Sequence, residues 1–453
     1  MNKKTTDSKS TSDYYDQNND DESSTLTASN DTQSNKTKST ADRTPEKNSE
    51  KTSKRNEEEL TEVDDETETK TSRHTRTFFK TKYRKVYKIV NKKRKKNKKG
   101  NGKNKDVTRE ITDPHILKYV RSDDTTNEHR KIDRYGWYID NDETETTDEK
   151  EVEKESERER RYELKWLEIV KKWDKYSTKK PKKIEKRIKK GIPDGCRNMV
   201  WCKILLYDLD LNNLKDISYY YDMGTPKGES TILVDIPRTM PKVSMFKDGA
   251  IKSSLYRILR AYSNSDPELG YFQGIAFIAG IFLLYMDEKS AFQCFTSIMN
   301  GKRHKLRDFY INGFQGLREA NTIWDYIIKL KFKKIHKKIH DVCLEPMLYT
   351  PSWFLCAFMN VPFPPKLKLY IFDQFCYFGT RTLFTVGLTI ISLNQEKILN
   401  CDGFDTILTT FQEPPHVNDP NYPNIFMKEY RKNFIKNSEY KEAFTQSNIE
   451  YFF

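Results

Sequence analysis

The sequence predicts an all-α body behind a long disordered N-terminal tail. Three observations carry this. Apolar residues concentrate after Tyr162 and recur there at helical spacing. Alternating strands bounded by hairpin turns are not evident, and there is no repeat-length period. Before residue 75 the only Leu, Ile or Val residues are Leu26, Leu60 and Val63. So polar a stretch cannot bury enough surface to offset the entropy of ordering it.

Residues 1–150 are read as this charged, low-complexity tail, with a basic run at 91–105. Residues 151–183 are read as an amphipathic lead-in helix, because Trp166, Ile169, Val170 and Trp173 fall at i, i+3, i+4 and i+7. Gly191 and Pro193 break the pattern, and Met199 to Leu206 reads as a buried helix. Helical spacing then recurs at 253–263, 290–300, 317–332 and 352–360, the last followed by the break "VPFPP". Helices at 366–379 and 380–393 are separated by Gly379, a C-terminal stop. Residues 401–453 form a C-terminal extension expected to be partly helical.

The formal net charge of the 453 residues is +14, much of it local to "NKKRKKNKKGNGKNK". This run reads either as a solvated tail or as an element that attaches to anionic lipid or serves nuclear import. No recognition fold surrounds it, so sequence-specific nucleic-acid binding is not expected. Seven scattered cysteines without C-x-x-C argue for a reducing compartment and against a disulfide framework or zinc ribbon. "MNKKTTDSKS" has no apolar core, so no secretory leader is expected. Position 2 is not glycine and "NIEYFF" lacks a prenylation cysteine. The apolar run at 271–286 is short for a membrane span. A cytoplasmic location follows as the expectation.

Neither a phosphate-binding G-x-x-x-x-G-K-[ST] loop nor G-x-S-x-G is present. "HKKIHDVC" sets His336 and His340 one helical turn apart with Cys343 beyond. Two ligands need further partners and the flanking lysines repel a cation, so it reads as a polar helix end and no metal site is expected.

Two short elements remain. In "ILVDIPRTMP" Asp235 precedes Arg238 by three residues, and Pro237 and Pro241 flank the arginine. Proline restricts itself and the residue before it, which predicts a stiff non-helical loop. In "ELGYFQGIAF" Gly270 and Gly274 bracket Tyr271 and Gln273 at the entry to an apolar helix. Taken singly, each reads as a satisfied structural group.

Taken together and in order, these elements resemble the TBC domain of Rab GTPase-activating proteins. The family's R-x-x-x-W matches Arg197 to Trp201, I-x-x-D-x-x-R matches Ile232, Asp235 and Arg238, and Y-x-Q matches Tyr271 and Gln273. Thr239 and Gly274 continue the last two motifs. "MLYTPSWFLCAF" and "YIFDQFCYFGTRTLFTVGLTII" resemble the family's later helices. The resemblance covers 184–400 and implies a two-lobed helical domain.

It further implies that Arg238 and Gln273 act as arginine and glutamine fingers, entering the nucleotide site of a GTP-bound Rab GTPase in vesicle trafficking. GTP and Mg²⁺ would be carried by the Rab, leaving this chain without a cofactor of its own. Asp235 would orient Arg238 or pair with it structurally, and Tyr271 would pack and hydrogen-bond near the interface. Arg197 and Trp201 would hold the motif-bearing segments together. Contact with anionic endomembranes through the basic tail fits such a role. The alternative is a non-catalytic GTPase-binding scaffold or basic-tailed adaptor. Met240, Ala276, Cys376 and Phe378 depart from the family's commonest residues, though none is a finger.

Overall fold

A computed structural model describes residues 111–122, 131–139, 149–207, 209, 213–413 and 419–450. Among them the regular elements are helices, and β-pairing is limited to isolated bridges at Ile132–Tyr138 and Trp137–Val243. The basic run at 91–105 lies outside the described residues.

The segment read as tail is not wholly outside the packed body. Asp113 caps a helix over Pro114–Val120 by accepting from the His115 N–H, and Ile116 and Val120 are buried. That helix packs on helices Glu229–Arg238 and Gly249–Ser265. Buried Lys252 donates from Nζ to the Arg121 carbonyl at 3.2 Å, and the Gly249 N–H donates to Ser122 Oγ at 3.0 Å. Trp137 is also buried, beside Val243. The four apolar side chains Ile111, Ile116, Val120 and Trp137 are too sparse in sequence to show as a stripe, yet each finds the core.

The lead-in is also more broken than its periodicity predicts. Helices run over Glu149–Lys171, Trp173–Lys179 and Pro181–Ile188. Lys172 leaves helical geometry at φ −116°, and Lys180 does so at φ −138° before Pro181. A residue preceding proline is pushed out of the α region, which accounts for the second break. Trp166, Ile169, Trp173 and Tyr176 still reach the core, because the breaks preserve the buried side.

Trp201, on helix Arg197–Leu205, packs edge-on against Phe282, Tyr285 and Phe372. Its neighbour, Ile275–Tyr285, is buried along almost its whole length and packs on helices Gly249–Ser265 and Glu288–Asn300. A second aromatic cluster forms where Trp324 meets Trp353, Phe354 and Phe384. Helices Pro365–Phe378 and Thr380–Leu393 meet at Gly379, and helices Phe404–Gln412, Tyr422–Asn433 and Asn437–Gln446 follow.

The 352–360 helix is shorter than its spacing predicts. It spans Thr350–Phe354, after which Ala357 and Phe358 take positive φ of 47° and 64°. Non-glycine residues adopt this geometry only where their surroundings hold it. Here Ala357, Phe358 and Met359 are all fully buried, and the Phe358 N–H returns to the Trp353 carbonyl at 2.7 Å. No helix among the described residues is long and apolar enough to cross a membrane.

Candidate functional site

Arg238 is the last residue of helix Glu229–Arg238, not a residue of a non-helical loop. Pro237 removes one backbone donor inside the last turn, a penalty confined to a helix that stops one residue later. Thr239 closes that end: its N–H donates to the Ile236 carbonyl at 3.2 Å and its Oγ1 to the Asp235 carbonyl at 2.7 Å. Ile232, Leu233 and Ile236 bury the inner face, so Asp235 is drawn in with them. Arg238 projects outward, its side chain 50% exposed.

The two Asp235 oxygens have separate tasks. Oδ1 accepts from Arg238 Nε at 2.6 Å and also from Nη2. Oδ2 accepts from the Tyr271 hydroxyl at 2.5 Å. Burial, reinforced by the Asp235 charge, pushes that hydroxyl well above the usual phenol range, so it remains a donor.

A second bond joins the same two motifs at the other end of the helix, where the Tyr271 N–H donates to the Lys227 carbonyl at 3.0 Å. Gly270 makes the approach possible. Its φ is +64°, and a Cβ there would stand 2.8 Å from the Lys227 carbonyl oxygen. Gly274 has φ +106° at the N-terminus of helix Ile275–Tyr285, and a Cβ would meet Cys356 Sγ at 2.8 Å. This left-handed turn leaves Gln273 just outside the helix and exposed.

Arg238 and Gln273 thereby line one open cleft of about 300 Å³, with Thr239, Phe272, Cys356 and Asn360 among its walls. Burial, then the nearby Asp235 charge, pushes the Cys356 thiol up to about 12, so it is no nucleophile at neutral pH. The lining contains no histidine, and its one carboxylate is already held by Arg238 and Tyr271, so it offers no metal-ligand set. What it offers is a rigid cationic fork and a primary amide on the walls of one cleft. A slightly larger depression, about 350 Å³, lies at Asp266 and Arg307 and contains none of these residues. Arg307 is matched there by Asp266 and Glu268.

Arg197 and Trp201 stand elsewhere, around Asp373, which is fully buried. Arg197 Nε donates to Asp373 Oδ1 at 3.1 Å, Trp201 Nε1 to the same oxygen at 3.0 Å, and the Ile192 N–H to Oδ2 at 3.0 Å. The guanidinium also bonds Asp194 and, at 3.1 Å, the Tyr285 hydroxyl. Burial raises the Asp373 carboxyl, and these donors oppose the shift. R-x-x-x-W therefore joins helix Arg197–Leu205 to helix Pro365–Phe378 and does not reach the cleft. Among the departures, Met240, Ala276, Cys376 and Phe378 are all buried.

Spacing did not reveal Cys356 or Asn360 as cleft residues, because the turn at Ala357 and Phe358 that delivers them has no glycine to mark it. Asp373 carried a signal: a lone carboxylate in the apolar run "YIFDQF" demands a buried partner.

The Rab-GTPase-TBC domain family matches residues 194–399. TBC1 domain family member 10A of Mus musculus is 31% identical over 61% of this chain and 56% of its own length. TBC1 domain family member whacked of Drosophila melanogaster is 31% identical over 56% of this chain and 70% of its own length. A crystallised Chlamydomonas flagellar RabGAP TBC domain is 18% identical with TM-score 0.49, covering 66% of this chain and 99% of that one. Against the mouse and human relatives the chain spans between 31% and 62% of their length.

Proposed function

Because the chain belongs to the Rab-GTPase-TBC domain family, we propose that it accelerates GTP hydrolysis by a Rab-family small GTPase, supplying Arg238 and Gln273 in trans. The observation that carries this reading is that these two side chains, from separate motifs, line the same open cleft.

In this mechanism the Rab carries GTP and Mg²⁺. The Arg238 guanidinium leaves the surface to meet the oxygens of the phosphoryl group in transfer, where negative charge spreads in the transition state. The Gln273 amide accepts a hydrogen bond from the attacking water and donates to a phosphate oxygen or partner backbone, fixing the line of attack. Asp235 holds the arginine in its outward rotamer before the partner arrives, and Tyr271 holds Asp235. Less conformational freedom is then lost at the moment of reaction. The role fits a regulator of vesicle trafficking in the cytoplasm, with the basic run at 91–105 attaching to anionic endomembranes.

A second reading, a GTPase-binding scaffold without catalysis, draws on the same ion pair, since an arginine bonded by Asp235 has a structural partner already. One assay separates the two. GTP hydrolysis by a panel of Rabs is measured with the protein, with Arg238→Ala and with Gln273→Ala. Catalysis predicts acceleration that falls by on the order of 10³-fold in the arginine variant. Equal rates with and without Arg238 would leave only the scaffold.

A further inference from the structure

We propose that Asp325, His336 and His340 form a binding site for a zinc-class transition-metal ion, independent of the cleft. His336 and His340 lie on helix Lys333–Asp341, one turn apart, so their rings share a side with centroids 4.3 Å apart. The third group comes from the preceding helix, Gln315–Lys331. Asp325 Oδ1 lies 3.1 Å from His336 Nε2 and 3.1 Å from His340 Nε2, and Oδ2 lies 3.2 Å from His336 Nε2. The three ligand atoms all fall within 4.8 Å of one another.

A tetrahedral zinc ion about 2.0–2.2 Å from each ligand separates neighbouring ligand atoms by roughly 3.3–3.5 Å. The two carboxylate–imidazole separations are thus within a few tenths of an ångström of coordinating geometry, and the two imidazole nitrogens lie within 4.8 Å of each other. Two imidazoles with one carboxylate suit zinc and its transition-metal neighbours rather than Mg²⁺ or Ca²⁺, which take oxygen ligands. Both histidines aim the same nitrogen at one carboxylate. Without metal each must keep its proton on Nε2 to donate. To bind an ion through Nε2, each neutral ring would shift its proton to Nδ1, and a water would complete the fourth position.

The scaffold is preorganised. Phe332 alone separates the two helices, and the buried residues Ile328, Ile335 and Ile339 secure their corner from inside. Bound metal would clamp that corner from outside. His340 is exposed enough, at 55%, for an ion to enter from solvent. Lys337 and Lys338 interleave with the two histidines, and their charge opposes a cation. Lys337 is exposed and its long side chain can turn its ammonium into solvent.

The test is calorimetric titration of the full chain, stripped with chelator, with Zn²⁺ alone, beside His340→Ala, Asp325→Asn and Cys343→Ser. The first substitution is at an exposed side chain, so folding is retained. The expected result is one equivalent bound by the protein and by the Cys343 variant, with affinity at least ten-fold weaker in the His340 and Asp325 variants. Substitution with Co²⁺ should give the visible absorption of a four-coordinate ion, lost in those two variants. Binding of equal strength in all four proteins, or no stoichiometric binding to the unaltered chain, would overturn the proposal.

Discussion

The Tyr271 hydroxyl donates to Asp235 Oδ2 at 2.5 Å and leaves Oδ1 to Arg238. A buried carboxylate is thus shared between a buried tyrosine and a half-exposed arginine, the one that the proposed mechanism sends to the partner. Tyr271→Phe strips the permanent donor while keeping the ring. A charge-assisted bond contributes about 1.5–3 kcal/mol, so the variant should melt earlier. With the carboxylate free to turn, Rab GTP hydrolysis should also slow by about ten-fold, read in single-turnover assays. Unchanged rates alongside a lowered melting temperature would make Tyr271 a purely structural residue.

Arg238→Lys keeps the charge and loses the planar fork. It should forfeit most of the acceleration, by on the order of 10²-fold or more, while binding the GTP-loaded Rab within a few-fold of the original. Gln273 is exposed, so Gln273→Ala should change stability by less than about 0.5 kcal/mol and still lose activity. Hydrolysis and thermal melting on one preparation check both.

Arg197→Met predicts the opposite pattern. It strands a fully buried Asp373, and breaking a buried pair by removing one partner costs about 3–5 kcal/mol. Chemical denaturation should report that loss. At temperatures where the variant remains folded, the cleft residues are untouched and acceleration per folded molecule should persist.

His304 makes stability depend on acid. Its ring is buried and Nε2 donates to the Phe375 and Cys376 carbonyls at 3.0 and 3.2 Å. Burial, aided by the Arg303 charge, lowers its pKa to about 3. Unfolded, the ring titrates near 6.5, so between about pH 3 and 6.5 the unfolded chain binds the extra proton. Stability should therefore fall as pH drops through that window, by up to about 1.4 kcal/mol per unit from this group. Urea titrations at several pH values should show the slope, and His304→Gln should flatten it.

Helical periodicity made the all-α class and the inner faces of most helices legible, because burial of an apolar stripe leaves a 3.6-residue mark. The motif order singles out Arg238 and Gln273, and the fold brings both to the lining of one cleft. Three things were not legible. Proline excludes helix only where the chain must continue, so Pro237 is accommodated in a helix that ends at the next residue. The turn at Ala357 and Phe358 is set by burial, which leaves no local signature. Asp325 joins the two histidines across a helix corner, a contact that spacing inside "HKKIHDVC" could not contain.

The N-terminal packing has a practical corollary for the smallest portable fragment. The Tyr138 N–H donates to the Lys242 carbonyl at 2.8 Å, and the Ser244 N–H to the Gly136 carbonyl at 2.9 Å, immediately beyond the Arg238 helix. Residues 111–122 cover that helix from another side. A fragment cut at residue 194, where the family match begins, removes both supports from the segment bearing the arginine. A fragment starting near residue 110 keeps them and still discards the basic run at 91–105. Trimming to the family boundary would mistake the limit of resemblance for the limit of the folding unit.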